Sequence, residues 1–473
     1  MTLVDFILGA SYLALAYFLL LNGLYTVLYL ISFVEIAGHT RREAFGGLLE
    51  LSRSYYAPPV SLIVPAYNEE ATIAQSVRSF LSLQYPTHEV VVINDGSRDG
   101  TLDVLLNEFD LWESDQPVRK QLETAEIVTV YSSPSERLVV VDKKNGGKAD
   151  ALNAGICVAQ YPLVCCIDAD LILEEDALLR LARPMIESSK VAAVGGIVRV
   201  ANGCRIESGR VVEVRTATKA LPNLQVVEYM RAFLIGRTGW SVLNCLLIIS
   251  GAFGMFRRQD LIDAGGYASD TVGEDMELVT RMHHTLKASG RRYKISFVPD
   301  PVAWTEVPDT LRVLRRQRDR WHRGLMDSLF RHRTMLFNPR YGTVGLIGMP
   351  YFFLFEFLGP VVELLGYVAF AAGLVLGIFS FEFVAVFLLV AVGLGTLLST
   401  TAVFLEELYL KRYPRWRDVF KLILYSIVEN FGYRQLNTLW RGLAIVSFLR
   451  NNTEWGAMER KGFEPAGNNP KKS

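Results

Sequence analysis

The chain has 473 residues, enough for one large domain with additional segments. Its 49 lysine and arginine residues balance 49 aspartate and glutamate residues, so the sequence lacks the positive excess that suits a nucleic-acid partner. The 5 cysteines are odd in number and lack metal-ligand spacing, which indicates buried thiols in a reducing compartment. The hydrophobic residues are concentrated towards the two ends, while the middle has a globular composition.

The N-terminal segment, 1–36, contains an uncharged apolar run at 6–34. Such a run can cross about 30 Å of hydrocarbon with tilt. A cleaved signal peptide would have a basic start and a shorter apolar core, so the run predicts a retained transmembrane helix. Arg41, Arg42 and Arg53 follow it, and the positive-inside rule then places the next domain in the cytoplasm.

Between residues 58 and 335, short apolar runs alternate with helical periodicity. Strands are predicted at 60–66, 90–93, 127–131, 138–141, 163–167, 192–198 and 293–298. Ile73, Val77 and Phe80 predict a helix after the first strand, with Asn68 at its N-cap. This alternation predicts an α/β fold in which helices flank a mostly parallel sheet, with ligands bound beyond the carboxyl ends of the strands.

The C-terminal segment 343–449 is apolar again, and 364–381 and 383–405 are predicted membrane spans. The run 344–362 carries Glu356 and is broken at Gly359, so it is either an interfacial helix or a kinked continuation into the membrane.

Basic residues in 411–421 indicate a cytoplasmic loop. Glu429, Arg434 and Arg441 leave interfacial or re-entrant helices as an alternative to true spans over 422–449. The segment 450–473 is predicted to be a cytoplasmic tail.

Two carboxylates, Asp168 and Asp170, follow the apolar run 163–167. Alternate residues of an extended chain share a face, so the two side chains would project together. Close carboxylates repel unless a positive group lies between them, and Mg²⁺ suits one or two carboxylates with substrate phosphates completing its shell. The alternative, which is more common for an isolated Asp-x-Asp pair, is a solvated acidic turn.

Two further motifs follow predicted strands. Asp95, in an Asn-Asp-Gly-Ser stretch, could accept hydrogen bonds from a base or a ribose, or could simply form an Asx turn. The Lys-Lys-Asn-Gly-Gly-Lys run at 143–148 opens a predicted helix, where glycines and Lys148 favour a phosphate ligand. A nucleotide-triphosphate P-loop is excluded because its upstream glycine is missing and Ala149 follows the lysine. The alternative is a solvated basic loop.

The last two motifs lie on predicted helices. Glu274 and Asp275 begin one helix, as a general base or as ordinary partners of the helix dipole. Gln317, Arg320 and Trp321 share one face of an arginine-rich helix. An amide, a guanidinium and an indole suit a diphosphate and a sugar ring, although such a helix could also lie on a membrane surface.

In this order, and on an α/β domain between membrane segments, these motifs resemble the processive, membrane-bound family 2 glycosyltransferases. That family includes the cellulose, chitin and hyaluronan synthases. The Asn-Asp-Gly-Ser form around Asp95, together with the stretches 225–229 and 250–252, is most similar to its bacterial poly-N-acetylglucosamine synthase group.

The resemblance implies a GT-A type nucleotide-sugar domain over 58–335, on the cytoplasmic face of the cell membrane. It implies an inverting enzyme that polymerises sugars from a UDP-sugar, with UDP-N-acetylglucosamine expected, into a β-linked polysaccharide. The implied cofactor is Mg²⁺ or Mn²⁺, and the implied partners are a growing polysaccharide or lipid acceptor, the membrane and a small membrane accessory subunit. A lipid glycosyltransferase that adds one sugar, or a non-catalytic subunit for glycan export, remains an alternative.

The resemblance also implies a role for each matching residue. On the donor side, Asp95 would bind uridine, Lys148 the diphosphate, Asp168 the ribose or metal, and Asp170 the metal. Pro65, Asn68, Glu69 and Glu274 would also contact the substrate. Asp275 would deprotonate the acceptor hydroxyl, with Glu274 as the competing candidate. Gln317, Arg320 and Trp321 would hold the leaving diphosphate and the acceptor end of the glycan.

Overall fold

The structure, a computed structural model, describes residues 2–45, 57–135, 137–207 and 209–450. These residues divide into two compact units. The sheet unit contains described residues of 39–215 and 244–307, and the helical unit contains residues 2–38, 216–243 and 308–450. Arg53, and the predicted tail beyond Arg450, lie outside the described residues.

The helices are given in chain order. They are α1 (Leu3–Phe45), α2 (Ile73–Leu81), α3 (Thr101–Glu108), α4 (Lys148–Val158), α5 (Ala177–Glu187), α6 (Ala220–Tyr229), α7 (Thr238–Val242), α8 (Arg258–Asp263), α9 (Glu274–Ala288), α10 (Leu311–Arg331), α11 (Met349–Tyr351), α12 (Gly359–Val375), α13 (Phe381–Leu388), α14 (Leu394–Tyr409), α15 (Trp416–Val428) and α16 (Tyr433–Leu449). Wider turns of π geometry occupy Met230–Arg237, Val344–Gly348, Phe352–Phe357 and Leu389–Gly393, and 3₁₀ turns occupy Arg333–Met335 and Pro339–Tyr341.

The strands all belong to the sheet unit. They are β1 (Val60–Ala66), β2 (His88–Asp95), β3 (Trp112–Glu113), β4 (Ile127–Ser132), β5 (Leu138–Lys143), β6 (Leu163–Ile167), β7 (Ile172–Leu173), β8 (Val191–Val200), β9 (Arg205–Glu207), β10 (Arg210–Glu213), β11 (Phe253–Arg257) and β12 (Lys294–Thr305). β9 and β10 form a separate two-stranded sheet. The remaining 10 strands form one sheet in the order β3-β4-β5-β2-β1-β6-β11-β8-β12-β7.

This large sheet is mixed. Neighbouring strands β5, β2, β1 and β6 are parallel, as are β8 and β12, whereas β11 lies antiparallel between β6 and β8. The predicted α/β fold is confirmed, but the sheet is less parallel than predicted, because β4 is also antiparallel to β3 and β5, and β7 is antiparallel to β12. The antiparallel β11 was not among the predicted strands. Because β11 runs against β6, its first residue, Phe253, pairs with the last residue of β6, Ile167. The turn before β11 is therefore placed beside the carboxyl end of β6.

The central strands are buried on both faces, which explains their continuous apolar sequences. Every residue of β2 and β6 is buried. Helix α2 packs Ile73, Val77 and Phe80 against this core, and burying such side chains contributes about 1.5–3 kcal/mol each.

Of the free cysteines, Cys157, Cys165, Cys166 and Cys245 are buried and Cys204 is half-buried. Burial raises the pKa of the Cys166 thiol to about 12, so it stays protonated.

The predicted N-cap of α2 is wrong. Thr72, not Asn68, occupies the cap position, and it makes no side-chain capping hydrogen bond. Asn68 adopts a left-handed backbone with φ 57°, and its side-chain oxygen accepts a hydrogen bond from the Arg98 N–H at 2.8 Å. The Asn68 side chain is thus committed to the loop after β2 rather than to the helix.

Among the described residues, three helices are long and apolar enough to cross a membrane: Leu3–Arg41, Val344–Val375 and Phe381–Tyr409. Of the two alternatives for 344–362, the structure favours a kinked helix that continues into the next span over a separate interfacial helix. The helical backbone is interrupted at Leu358 and resumes directly with α12. Pro360, which has no N–H to donate, lies in the first turn of α12. The span expected to reach residue 381 ends at Val375. Ser380 then caps α13 by accepting from the Phe383 N–H at 3.3 Å.

Candidate active site

The carboxyl ends of β1, β2 and β6 lie next to one another because these strands are parallel neighbours. Asp95 is the last residue of β2, and Asp168 directly follows β6. Lys148 is the first residue of α4. The structure therefore brings these sequence-predicted residues to one edge of the sheet, as the strand–helix alternation predicts.

The turn Ser250-Gly251-Ala252 before β11 links three of the predicted residues. The Gly251 N–H donates to Asp275 Oδ2 at 3.1 Å, and the Gly251 carbonyl accepts from Lys148 Nζ at 3.3 Å. The Ala252 carbonyl accepts from the Asp168 N–H at 3.3 Å. A Cβ added at Gly251 would lie 3.2 Å from the Asp275 Cβ, so the missing side chain permits this close approach. Spacing alone did not reveal this connection.

Lys148 lies between the carboxylates of a charged cluster. Its Nζ lies 2.5 Å from Asp168 Oδ1 and 3.9 Å from Glu274 Oε1. Burial alone would lower the pKa of Lys148, but the neighbouring carboxylates, Asp168 before Glu274, outweigh it, and the net shift is upward. Lys148 is therefore an ammonium ion at neutral pH.

Asp168 and Asp170 are not placed by strand alternation, contrary to the prediction. β6 ends at Ile167, and the next residues form a turn in which the Leu171 N–H donates to the Asp168 carbonyl at 3.2 Å. Both aspartates are half-buried. In the described part of the chain, no group of three or more His, Cys, Asp or Glu side chains could hold a metal ion.

Glu274 and Asp275 occupy the first turn of α9, as predicted. A helix N-terminus favours negative charge. Asp275 is half-buried, and its Oδ1 accepts from the Met276 N–H at 2.8 Å, while its Oδ2 is held by Gly251. The carboxylate is thus fixed at both oxygens by backbone N–H groups.

Asp95 is almost completely buried, and its partners come from the chain itself. Oδ1 accepts from Lys143 Nζ at 2.5 Å and from the Gly146 N–H at 3.0 Å. Oδ2 accepts from the Gly147 N–H at 2.8 Å. A carboxylate offers about four lone-pair positions, and the residues that the structure describes occupy three of them, which leaves one on Oδ2.

The loops after β1 and β2 are bonded to one another. The Asn68 N–H donates to Ser97 Oγ at 3.0 Å, and the Glu69 N–H donates to Thr101 Oγ1 at 2.9 Å. Pro65, one strand position before the end of β1, is the register partner of Ile93 in β2. Pro65, Asn68 and Glu69 therefore lie at the strand end that carries Asp95.

The predicted residues Gln317, Arg320 and Trp321 lie on α10, in the helical unit. Gln317 is buried and Trp321 is 38% exposed. The Arg318 guanidinium lies 4.4 Å from the Trp321 ring centroid and bonds Glu228 at 2.9 Å. Arg318 thus covers one face of the indole. It was not among the predicted site residues, although it lies three residues before Trp321 on the same helix.

Comparisons with known proteins agree on the class of protein. One family model, described as glycosyl transferase family group 2, matches residues 163–398, and another, described as glycosyl transferase family 2, matches residues 61–121. The poly-beta-1,6-N-acetyl-D-glucosamine synthase of Staphylococcus epidermidis is 30% identical over 286 residues, or 60% of this chain and 58% of that protein. The enzyme of the same name from Staphylococcus aureus strain COL is 30% identical over 274 residues, or 58% of this chain and 56% of that protein. The match thus spans less than two thirds of the length of these relatives.

Solved structures give weaker similarities. The mannosyltransferase PcManGT from Pyrobaculum calidifontis, in complex with GDP-Man and Mn²⁺, has a TM-score of 0.49 and 20% identity, over 88% of this chain and 99% of that one. Residues 1–349 of Staphylococcus aureus TarS have a TM-score of 0.39 and 14% identity, over 80% of this chain and 91% of that one. Both TM-scores are below 0.5, so functional assignment rests on the family models and on the site geometry.

Proposed function

We propose that this chain, whose residues 61–121 and 163–398 match glycosyl transferase family 2 models, is a membrane-bound, inverting polysaccharide synthase with a GT-A type domain. The proposed donor is a UDP-sugar, with UDP-N-acetylglucosamine expected, and the proposed product is a β-linked polymer. The single observation that carries the proposal is the cluster around Gly251. It joins a lysine ammonium, Lys148, to the carboxylates of Asp168 and Asp275.

The donor nucleotide is assigned to the sheet edge that carries Asp95. The one lone-pair position left on Asp95 Oδ2 suits an N–H of the uracil base, since a carboxylate only accepts. The loop residues Pro65, Asn68 and Glu69 would border the same nucleotide. Lys148, already charged, would bind the diphosphate.

Asp168 and Asp170 would hold Mg²⁺ or Mn²⁺. Two half-buried carboxylates after a strand do not complete a metal site, but a divalent cation with one or two carboxylates can take its remaining ligands from water and phosphate oxygens. The residues present therefore fit a cation that is held jointly with the substrate. When bound, such a cation neutralises charge on the departing diphosphate.

Asp275 is the proposed general base. Transfer forms a bond between the acceptor oxygen and the anomeric carbon, and it breaks the bond from that carbon to the diphosphate, whose oxygen takes the electron pair. Asp275 takes the acceptor's hydroxyl proton, and a single displacement of this kind inverts the anomeric centre. Glu274 is the competing candidate, but it is more deeply buried, and its Oε1 lies 3.9 Å from Lys148 Nζ, which suits a substrate-binding role.

The acceptor is assigned to α10 in the helical unit. Gln317 and Arg320 would hold the leaving diphosphate, and the exposed indole of Trp321 offers a flat apolar face to a pyranose ring. The apolar helices support a multi-pass membrane protein with its sheet unit in the cytoplasm, where UDP-sugars would be available. A small membrane subunit is a further proposed partner.

The test is to incubate membranes containing the full chain with a panel of radiolabelled UDP-sugars and to measure the size of the product. We expect label from UDP-N-acetylglucosamine in a polymer, and transfer that is about 10²–10⁴-fold slower in the matched Asp275→Asn variant. A lipid that bears one sugar at saturating donor would replace this proposal with a lipid glycosyltransferase. No transfer from any donor would favour the non-catalytic alternative.

A further inference from the structure

Lys143 begins the Lys-Lys-Asn-Gly-Gly-Lys run, but the structure separates it from the other lysines of that run. Lys143 is the last residue of β5, and it is 1% exposed. Lys144 is open to solvent, and Lys148 is partly exposed in the cluster around Gly251. A buried lysine cannot serve as a phosphate ligand in this conformation, so its charge must have another use.

The ammonium group of Lys143 is matched with acceptors from the chain. It donates to Asp95 Oδ1 at 2.5 Å and to the Lys144 carbonyl at 2.7 Å, and it forms an ion pair with Asp150 Oδ1 at 2.6 Å. One cation thus lies between two carboxylates from β2 and α4. Two such carboxylates would repel one another without it, and a buried charge whose partner is removed is strongly destabilising.

The same two carboxylates fix the loop that leads to Lys148. Asp95 accepts from the N–H groups of Gly146 and Gly147, and its carbonyl accepts from Asn145 Nδ2 at 2.7 Å. A Cβ on Gly146 would lie 2.5 Å from Asp150 Cγ, so the loop is pressed closely against that side chain. Gly147 has φ 87°, a left-handed conformation that suits glycine.

We propose that Lys143 is a positioning residue. Its charge holds Asp95 and Asp150 together, and this pair fixes the Asn145-Gly146-Gly147 loop so that the nucleotide site at Asp95 and the diphosphate site at Lys148 keep one geometry. The inference rests on the proposed function, since it names how the donor site of that function is held in shape. Lys143 itself does not touch the donor.

The test uses Lys143→Met in the full chain, with Arg180→Met as the matched control. Arg180 also pairs with two carboxylates of the sheet unit, Asp176 and Asp300, but it belongs to α5. Hydrogen exchange of the peptide that contains Gly146 and Gly147, and the affinity for UDP, are measured on both variants.

We expect Lys143→Met to speed exchange at the loop and to weaken UDP binding by about 10–100-fold, the range found when a residue that orients a metal ligand is removed. Arg180→Met should change neither, whatever it does to thermal stability. The proposal is overturned if loop exchange in Lys143→Met equals that of the wild type, or if both variants weaken UDP binding alike.

Asp150→Asn keeps the assay decisive if Lys143→Met does not fold. This milder variant should speed loop exchange and weaken UDP binding by a smaller factor, and unchanged exchange would again overturn the proposal. Failure of the wild type to bind UDP would contradict the proposed function instead. In that case the exchange comparison still decides whether Lys143 fixes the loop.

Discussion

Two lysines five positions apart belong to two carboxylate clusters of different character. The side chain of Lys143 is 0% exposed, and the following loop is bonded to its partner Asp95 through the N–H groups of Gly146 and Gly147. The side chain of Lys148 is 24% exposed, and that of its partner Asp168 is 21% exposed. A fully buried ammonium group can fix the conformation of the loop around it, whereas a partly exposed ammonium group remains available to a substrate. The contrast separates a lysine that shapes the proposed donor site, Lys143, from a lysine that is available to the donor, Lys148.

The largest effect on transfer is expected from substitution of Asp275, and it tests whether the partly exposed cluster carries out the chemistry. Asp275 belongs to the open cluster, so Asp275→Asn should lower transfer by about 10²–10⁴-fold through loss of the base, while UDP binding and folding persist. Initial rates with the labelled donor, alongside UDP titration, measure both. Glu274→Gln is the control, and a result in which it stops transfer while Asp275→Asn spares it would reverse the assignment.

Asp170 tests whether the open cluster needs a cation. Asp170→Asn should lose most of the metal-dependent part of donor binding, because one of the two proposed carboxylate ligands of the cation is removed, and turnover should fall with it. The chain should still fold, since Asp170 is half-buried beside solvent. Titration of Mn²⁺ against UDP binding gives the measurement. Undiminished wild-type activity in excess chelator would contradict the cation site.

The same contrast between a buried and an exposed side chain is found on α10 in the helical unit, where substitution of Trp321 should have a smaller effect on activity. Arg318 is buried and bonds Glu228, whereas Trp321 beside it is exposed, so only the indole is available to an acceptor. Trp321→Ala removes the flat apolar face proposed for the acceptor sugar, so polymer formation should be lost while hydrolysis of the donor persists. Product sizing and UDP release are measured together. If protein level and hydrolysis fall in parallel, Trp321 is a membrane anchor instead.

The sequence predicted well those parts of the fold that depend on local pattern. The strands at 60–66 and 163–167 agree with β1 and β6 because they are apolar runs buried on both faces. The pattern did not predict β11, whose short apolar stretch carries no signal of strand direction. It also misplaced the cap of α2, because the Asn68 side chain is held by a backbone N–H some 30 positions away.

The site was predictable as a set of residue types but not as an arrangement. Lys148, Asp168 and Asp275 were identified from their motifs, yet the turn at Gly251 that joins them lies about 100 residues from Lys148 in the chain. The alternative of a solvated basic loop is wrong for Lys143, since its carboxylate partners come from β2 and α4. Such pairing over a distance leaves no trace in local spacing.

The most direct test of the contrast compares Lys148→Met with Lys143→Met in thermal unfolding and in transfer at saturating donor. Removing the buried cation should lower stability by about 3–5 kcal/mol, whereas removing the partly exposed one should cost about 1 kcal/mol or less. Lys148→Met should nevertheless lose most transfer, while Lys143→Met, at a temperature where it is folded and saturated with UDP-sugar, should retain most of it. The opposite pattern, or a parallel loss of stability and transfer in both variants, would contradict the account.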